Sequence, residues 1–224
     1  MSRQRALGGL ALAAALALGG CAGAAADQEE VRRLQARAAY ERGLGHVQKR
    51  EAAPALTAIR EAVSIDPTVP VYWKALGLIY LELAQPHVAY SAFMKATALD
   101  DTYADAHMYV GVALSELGRW EDALVAYRKA ISLATLTTPE TAYHNAGVAL
   151  YNLKRYQEAE QALRFAIGLD PKLAGAYYNL GLVFVGSGRR EDAKALFRQA
   201  RDLAPRSPFG EAAAGQLKAL GEGG

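Results

Sequence analysis

The chain has 224 residues, 52% hydrophobic and 21% charged, a balance that excludes a disordered polymer and supplies enough apolar mass for a packed interior. A single cysteine excludes an internal disulfide framework, so stability must come from packing. The formal charge is only +2, and taking Arg3 and Arg5 away with a cleaved leader leaves 23 basic against 23 acidic residues, so no global field favours nucleic acid or an anionic membrane.

Arg3 and Arg5 precede an apolar run from Ala6 to Leu18, which is followed by Gly19, Gly20 and Cys21. This is the order of a secretory signal peptide, and the run is too short to span a bilayer comfortably. Residues 1–20 therefore read as a leader that is removed, and residues 21–27 as a short tether. Leu18-Gly19-Gly20-Cys21 resembles the lipobox of bacterial lipoproteins, a resemblance that implies a diacylglyceryl group on the Cys21 thiol. The competing reading is an ordinary leader with a coincidental cysteine. Under the lipoprotein reading, the absence of Asp after Cys21 implies sorting to the periplasmic face of the outer membrane. Several acyl chains, palmitate among them, would hold the protein there, because one chain alone binds only marginally.

Helical alternation of charged and apolar residues begins at about Gln28. Trp73, Leu76, Gly77 and Tyr80 stand at W-x2-L-G-x2-Y, with Ala89 and Phe93 following, which is the tetratricopeptide signature of a paired-helix repeat. Steps of about 34 residues from Gly77 reach Gly43, Gly111 and Gly181, with Gly147 displaced by two. Residues 28–207 thus hold five repeats, approximately Ala36–Val69, Pro70–Tyr103, Ala104–Thr137, Glu140–Leu173 and Ala174–Ser207. Each is predicted to be two antiparallel helices. The glycine column permits close backbone approach between the helices of a pair. Ala55, Ala89, Ala123, Ala159 and Ala193 form a second column, and Ala62, Ala96, Ala130, Ala166 and Ala200 a third, seven residues on. Ile59, Phe93, Tyr127, Leu163 and Phe197 supply the bulk between them.

Pro67, Pro171 and Pro205 are placed to end second helices, with Asp101 and Thr135 at the equivalent points of the other two repeats. The third repeat is followed by LATLTTPET, two residues longer than the period. Ser207 and Pro208 then signal a new helix start, and Phe209, Ala213, Leu217 and Leu220 make one apolar stripe, so residues 208–220 are expected to cap the stack and 221–224 to fray. The predicted fold is an all-α tetratricopeptide-repeat solenoid of five helix pairs and a capping helix.

One step round from the core positions of each first helix lie Tyr40, Leu44 and Val47; Lys74, Leu78 and Leu81; Met108, Val112 and Ser115; His144, Val148 and Tyr151; and Tyr178, Leu182 and Val185. An apolar face of this composition suits recognition of an apolar or amphipathic protein segment, with Tyr40, Tyr151 and Tyr178 as anchors. Two other fates remain open for it: burial between neighbouring first helices, and cover by the last helix. A clamp for a free carboxylate is disfavoured, since only Lys74 is basic there.

Chemistry is harder to find. The four histidines, His46, His87, His107 and His144, occupy separate repeats without metal-ligand spacing, and His46 and His107 fall on core columns. Gly43-Leu44-Gly45 lacks the third glycine and preceding strand of a dinucleotide loop. No P-loop or G-x-S-x-G elbow occurs. The expectation is a protein-binding module, not an enzyme, with no cofactor, no metal and no nucleic-acid partner.

The lipobox at Cys21, the short tether, the segment AAYERGLGHVQKR at Ala38–Arg50 and the extended junction LTTPETAYHNAGVAL together resemble the tetratricopeptide lipoproteins that act as pilotins for the type IV pilus secretin. That resemblance implies an outer-membrane lipoprotein that binds secretin subunits and promotes their assembly into a ring. Six repeats are usual in that family, against five and a lone helix here. The alternative is an envelope scaffold that gathers periplasmic proteins such as peptidoglycan hydrolases.

Overall fold

The computed structural model describes residues 27–221. Residues 1–26, on which the expected leader, Cys21 and most of the expected tether fall, and residues 222–224 lie outside that range. Within it the chain is helical, with no strand among the described residues. Helix α1 covers residues 27–48, followed by α2 (Ala52–Ile65), α3 (Pro70–Glu82), α4 (Pro86–Leu99), α5 (Ala104–Glu116), α6 (Trp120–Ile131), α7 (Pro139–Asn152), α8 (Tyr156–Leu169), α9 (Ala174–Gly186), α10 (Arg190–Leu203) and α11 (Pro208–Ala219). No described helix is long and apolar enough to cross a membrane.

The turn inside every helix pair has one construction. The N–H groups of Glu51, Gln85, Arg119, Arg155 and Arg189 donate to the carbonyls of His46, Tyr80, Leu114, Leu150 and Phe184, five residues back, closing a Schellman-type end. The residue before each donor takes a left-handed conformation. Gly118 and Gly188 do so at no steric cost, whereas Arg50, Ala84 and Lys154 adopt φ near +59°, +55° and +59°. Second helices are stopped by a different device. Asp66, Asp100 and Asp170 follow α2, α4 and α8, and their carboxylates accept from the backbone N–H two residues on. Asp100 therefore closes a repeat that has Asp101 where the repeat before it has Pro67.

The chain forms two compact units that divide between Leu76 and Gly77, inside α3. In the first, Gly43 of α1 faces Ile59 of α2 so closely that a Cβ would lie 2.5 Å from Ile59 Cδ1. Trp73 Nε1 donates to the Pro67 carbonyl at 2.8 Å, tying α3 to the loop that precedes it. Helix α1 starts at Asp27, so that residue belongs to the helix and not to the tether, and the helix begins nine residues ahead of Ala36, where the repeat pattern starts. Arg32, in this overhang, donates to the Ile65 carbonyl at 2.9 Å.

In the second unit the same glycine-to-bulk contact recurs four times: Gly77 on Phe93, Gly111 on Tyr127, Gly147 on Leu163 and Gly181 on Phe197. All four large residues are at most 2% exposed, and the alanine columns between them are closed to solvent, so each pair meets through one knob pressed into one bare backbone site. Successive pairs stack through α4–α5, α6–α7 and α8–α9. Helix α11 then packs on α10 and α9 through Gly210, Ala213 and Leu217, with Ser207 Oγ capping its start by accepting from the Gly210 N–H. One repeat period beyond α9, residues Glu211, Ala214, Gly215 and Lys218 hold the places of Tyr177, Leu180, Gly181 and Phe184, and all four are exposed.

Candidate functional site

In the first unit, Leu44 and Val47 are 37% and 40% exposed, while Tyr40 is half-buried with its ring 4.9 Å from that of Tyr72, and Lys74 is half-buried. In the second unit, Leu78, Leu81, Val112, Val148, Leu182 and Val185 are half-buried along the first helices. Tyr151 is half-buried too, its ring 6.0 Å from Tyr156.

Met108 corrects the sequence reading. It is 3% exposed and lines no surface, because the junction between α6 and α7 folds back on α5. Thr138 Oγ1 lies 3.7 Å from Met108 Sδ, Thr137 donates through both its N–H and its Oγ1 to the Asp105 carboxylate, and Thr135 Oγ1 donates to the Thr102 carbonyl at 2.6 Å. Thr138, in that longer junction, lies against Met108. His46 is also no core residue: it is about one-third exposed, and its Nδ1 is 2.6 Å from Glu51 Oε2. His107 is more deeply set and bonds the Asp101 carbonyl at 3.0 Å.

The C-terminal part of the face is covered by the chain itself. The Phe209 ring of α11 lies 5.9 Å from Tyr178 and stands edge-on to His144 at 6.2 Å. Asn179 Nδ2 donates to His144 Nε2 at 2.7 Å, and burial holds the His144 pKa below its ordinary value, so the ring is neutral and accepts.

Between these covered ends an open cleft of about 470 Å³ is lined by Val112, Ser115, Glu116, Gly118, Trp120, Tyr127, Asn145 and Val148. Its walls are the two valines and the half-buried Trp120. Its polar groups are the Asn145 amide, the Glu116 carboxylate, and the Ser115 hydroxyl 3.0 Å from the Tyr127 hydroxyl. Burial pushes the Tyr127 phenol up to about 12, so it remains a neutral hydrogen-bonding group. Apolar walls with a few fixed amides and hydroxyls suit a peptide segment: the walls take a side chain and the polar groups meet backbone. Val112, Ser115 and Val148 belong to the face read from the sequence, whereas Trp120, Glu116 and Asn145 line the cleft without having been part of that reading. The pairing of Asn145 with Asn179, at the same place in successive repeats, was the available signal.

A row of ion pairs lies on the edge formed by the starts of second helices. Arg155 pairs with Glu158 and reaches Glu121, while Arg189 pairs with Asp192 and Glu160 and lies 3.7 Å over the Phe184 ring. These pairs are solvated, so each contributes little on its own. Among the described residues no group of His, Cys, Asp or Glu is arranged to hold a metal ion.

Residues 72–103, 104–135 and 144–208 each match a family model described as tetratricopeptide repeat. The chain is a tetratricopeptide-repeat protein. None of these matches is to a catalytic family. Its repeats are 27% identical over 79 residues to the small glutamine-rich tetratricopeptide repeat-containing protein 2 of Mycosarcoma maydis; this covers 35% of the chain and 22% of that relative, so the chain spans about a fifth of the relative's length. Among solved structures, the tetratricopeptide chain is similar to MamA (26% identity, TM-score 0.64, 73% of this chain and 95% of that one). It is similar in fold to PilW, a widely conserved type IV pilus biogenesis factor (19%, 0.70, 82% and 92%), and to Pseudomonas aeruginosa pilF (21%, 0.67, 86% and 95%).

Proposed function

We propose that this protein is an outer-membrane lipoprotein, anchored through Cys21, that binds secretin subunits and promotes their assembly for type IV pilus biogenesis. The single observation that carries the binding part is the open cleft of Val112, Val148, Trp120 and Asn145, an apolar and partly amide-lined slot on a repeat scaffold. The fold likeness to PilW and pilF supports the pilus assignment, as does the lipobox-like Leu18-Gly19-Gly20-Cys21. The mechanism needs only binding. An apolar or amphipathic segment of the secretin is shielded on the escort until ring contacts replace it, which suppresses aggregation of the unassembled subunit.

Changing Leu78, Val112 and Val148 together to Asp should leave helicity intact and abolish capture of the secretin in a pull-down; undiminished capture refutes the site. Palmitate labelling should be lost in Cys21→Ser, and retained label refutes the anchor. The fold is shared with MamA as well as with the pilus factors, and an envelope scaffold for periplasmic proteins is the second reading. Secretin ring formation in a deletion strain separates the two: rings form normally only if the scaffold reading holds.

A further inference from the structure

At the C-terminal end of the first-helix face the chain lays one of its own rings over His144, Gly175 and Tyr178. Phe209, in the first turn of α11, lays its ring against Tyr178 and edge-on to His144. The floor beneath is Gly175, where a Cβ would come within 2.9 Å of Phe209 Cε2, so the hollow exists because that residue has no side chain. The imidazole is neutral; Asn179 engages its Nε2 and the ring also bonds the Gly175 backbone, so it is held in place where Phe209 meets it. The resident ring is held less firmly than the helix that carries it. Phe209 keeps 39% of its surface exposed, whereas Ala213 and Leu217 of the same helix are 0% and 2% exposed and Ser207 caps its start. Helix α11 therefore has an anchorage that does not depend on Phe209.

We propose that His144, Gly175 and Tyr178 form an aromatic subsite of the partner-binding face, in which Phe209 is a displaceable occupant. A partner segment bearing Phe, Tyr or Trp seats its ring there when Phe209 rotates into solvent. The proposal rests on the reading of this face as a protein-binding surface. It adds a requirement for an aromatic anchor in the partner and a resident competitor that weakens adventitious binding, since an intramolecular ring acts at high effective concentration.

The test uses the full chain and N-acetyl-phenylalaninamide as probe, followed by nuclear magnetic resonance at the His144 imidazole and the Gly175 amide. In Phe209→Ala the probe should shift both signals saturably, and in the parent chain it should bind at least about ten-fold more weakly because the resident ring competes. Adding Gly175→Leu to Phe209→Ala should abolish the shifts. Absence of shifts in Phe209→Ala, or equal affinity in the parent chain, overturns the proposal. Should circular dichroism show Phe209→Ala to be unfolded, Phe209→Leu serves in its place under the same two criteria. If the probe binds as stated while the chain captures no secretin, the subsite stands and the pilus reading falls; capture without probe binding sinks the subsite alone.

Discussion

Replacing Gly111 by Ala tests the principle on which the helix pairs are built. A Cβ there would lie 2.5 Å from Tyr127 Cε1 and 2.6 Å from Cδ1, about 1 Å inside normal carbon contact. Tyr127 cannot easily retreat: it is 2% exposed, and its hydroxyl is held by Ser115 Oγ at 3.0 Å. Overpacking of this kind costs about 1–3 kcal/mol, and straining the hydroxyl contact adds about 1 kcal/mol. The better helix propensity of Ala returns about 1 kcal/mol. The expected net destabilisation is about 2 kcal/mol, or a drop of about 4–8 °C in Tm for a unit of this size. Thermal and urea unfolding, read by far-ultraviolet circular dichroism, measures it. Gly168→Ala is the internal control, because Gly168 is exposed on α8 with nothing within 4 Å of its absent Cβ, and there the same substitution should stabilise. A neutral Gly111→Ala, or two variants that move in the same direction, refutes the reasoning.

Burial lowers the His144 pKa, so the unfolded chain takes up the proton first and stability should be full above about pH 6.5 and decline as pH falls below it. His144→Gln should flatten that decline, and an unchanged acid limb would count against it. Ala84 occupies a left-handed turn position that glycine fills in two other repeats, so Ala84→Gly should raise stability by about 1 kcal/mol; a lower unfolding midpoint contradicts the strain argument. Asp105→Ala removes the acceptor for Thr137 and should cost about 1 kcal/mol while loosening the junction over Met108. Mass spectrometry after mild peroxide treatment should then show faster Met108 sulfoxide formation, and an unaltered rate means that the junction does not shield Met108.

The helix pairs were readable because their contact uses residues at fixed separation: a bare backbone at Gly43, Gly77, Gly111, Gly147 or Gly181 and a bulky partner sixteen residues later. Such spacing survives in a one-dimensional text. The state of the first-helix face did not, since it depends on segments that fall outside the period. Met108 carries the same positional signal as Lys74 or His144, yet it is buried by a junction whose two additional residues say only that something differs there. Phe209 was readable as part of an apolar stripe, but its placement over Gly175 depends on the angle at which α11 leaves α10. His46 sat on a core column by spacing, but its polar ring found Glu51 at the open end of α1.

Glu211 and Lys218 take the places where an aromatic pair would otherwise invite another helix. An architecture assembled by laying like upon like contains no inherent instruction to stop, and here that instruction resides in two charged side chains. Lengthening such an array in evolution then asks for little: the terminal charges revert to rings, a duplicated segment docks, and the charged pair reappears one unit further out. The reach of the repeat stack is in this sense a surface property, adjustable without disturbing anything inside.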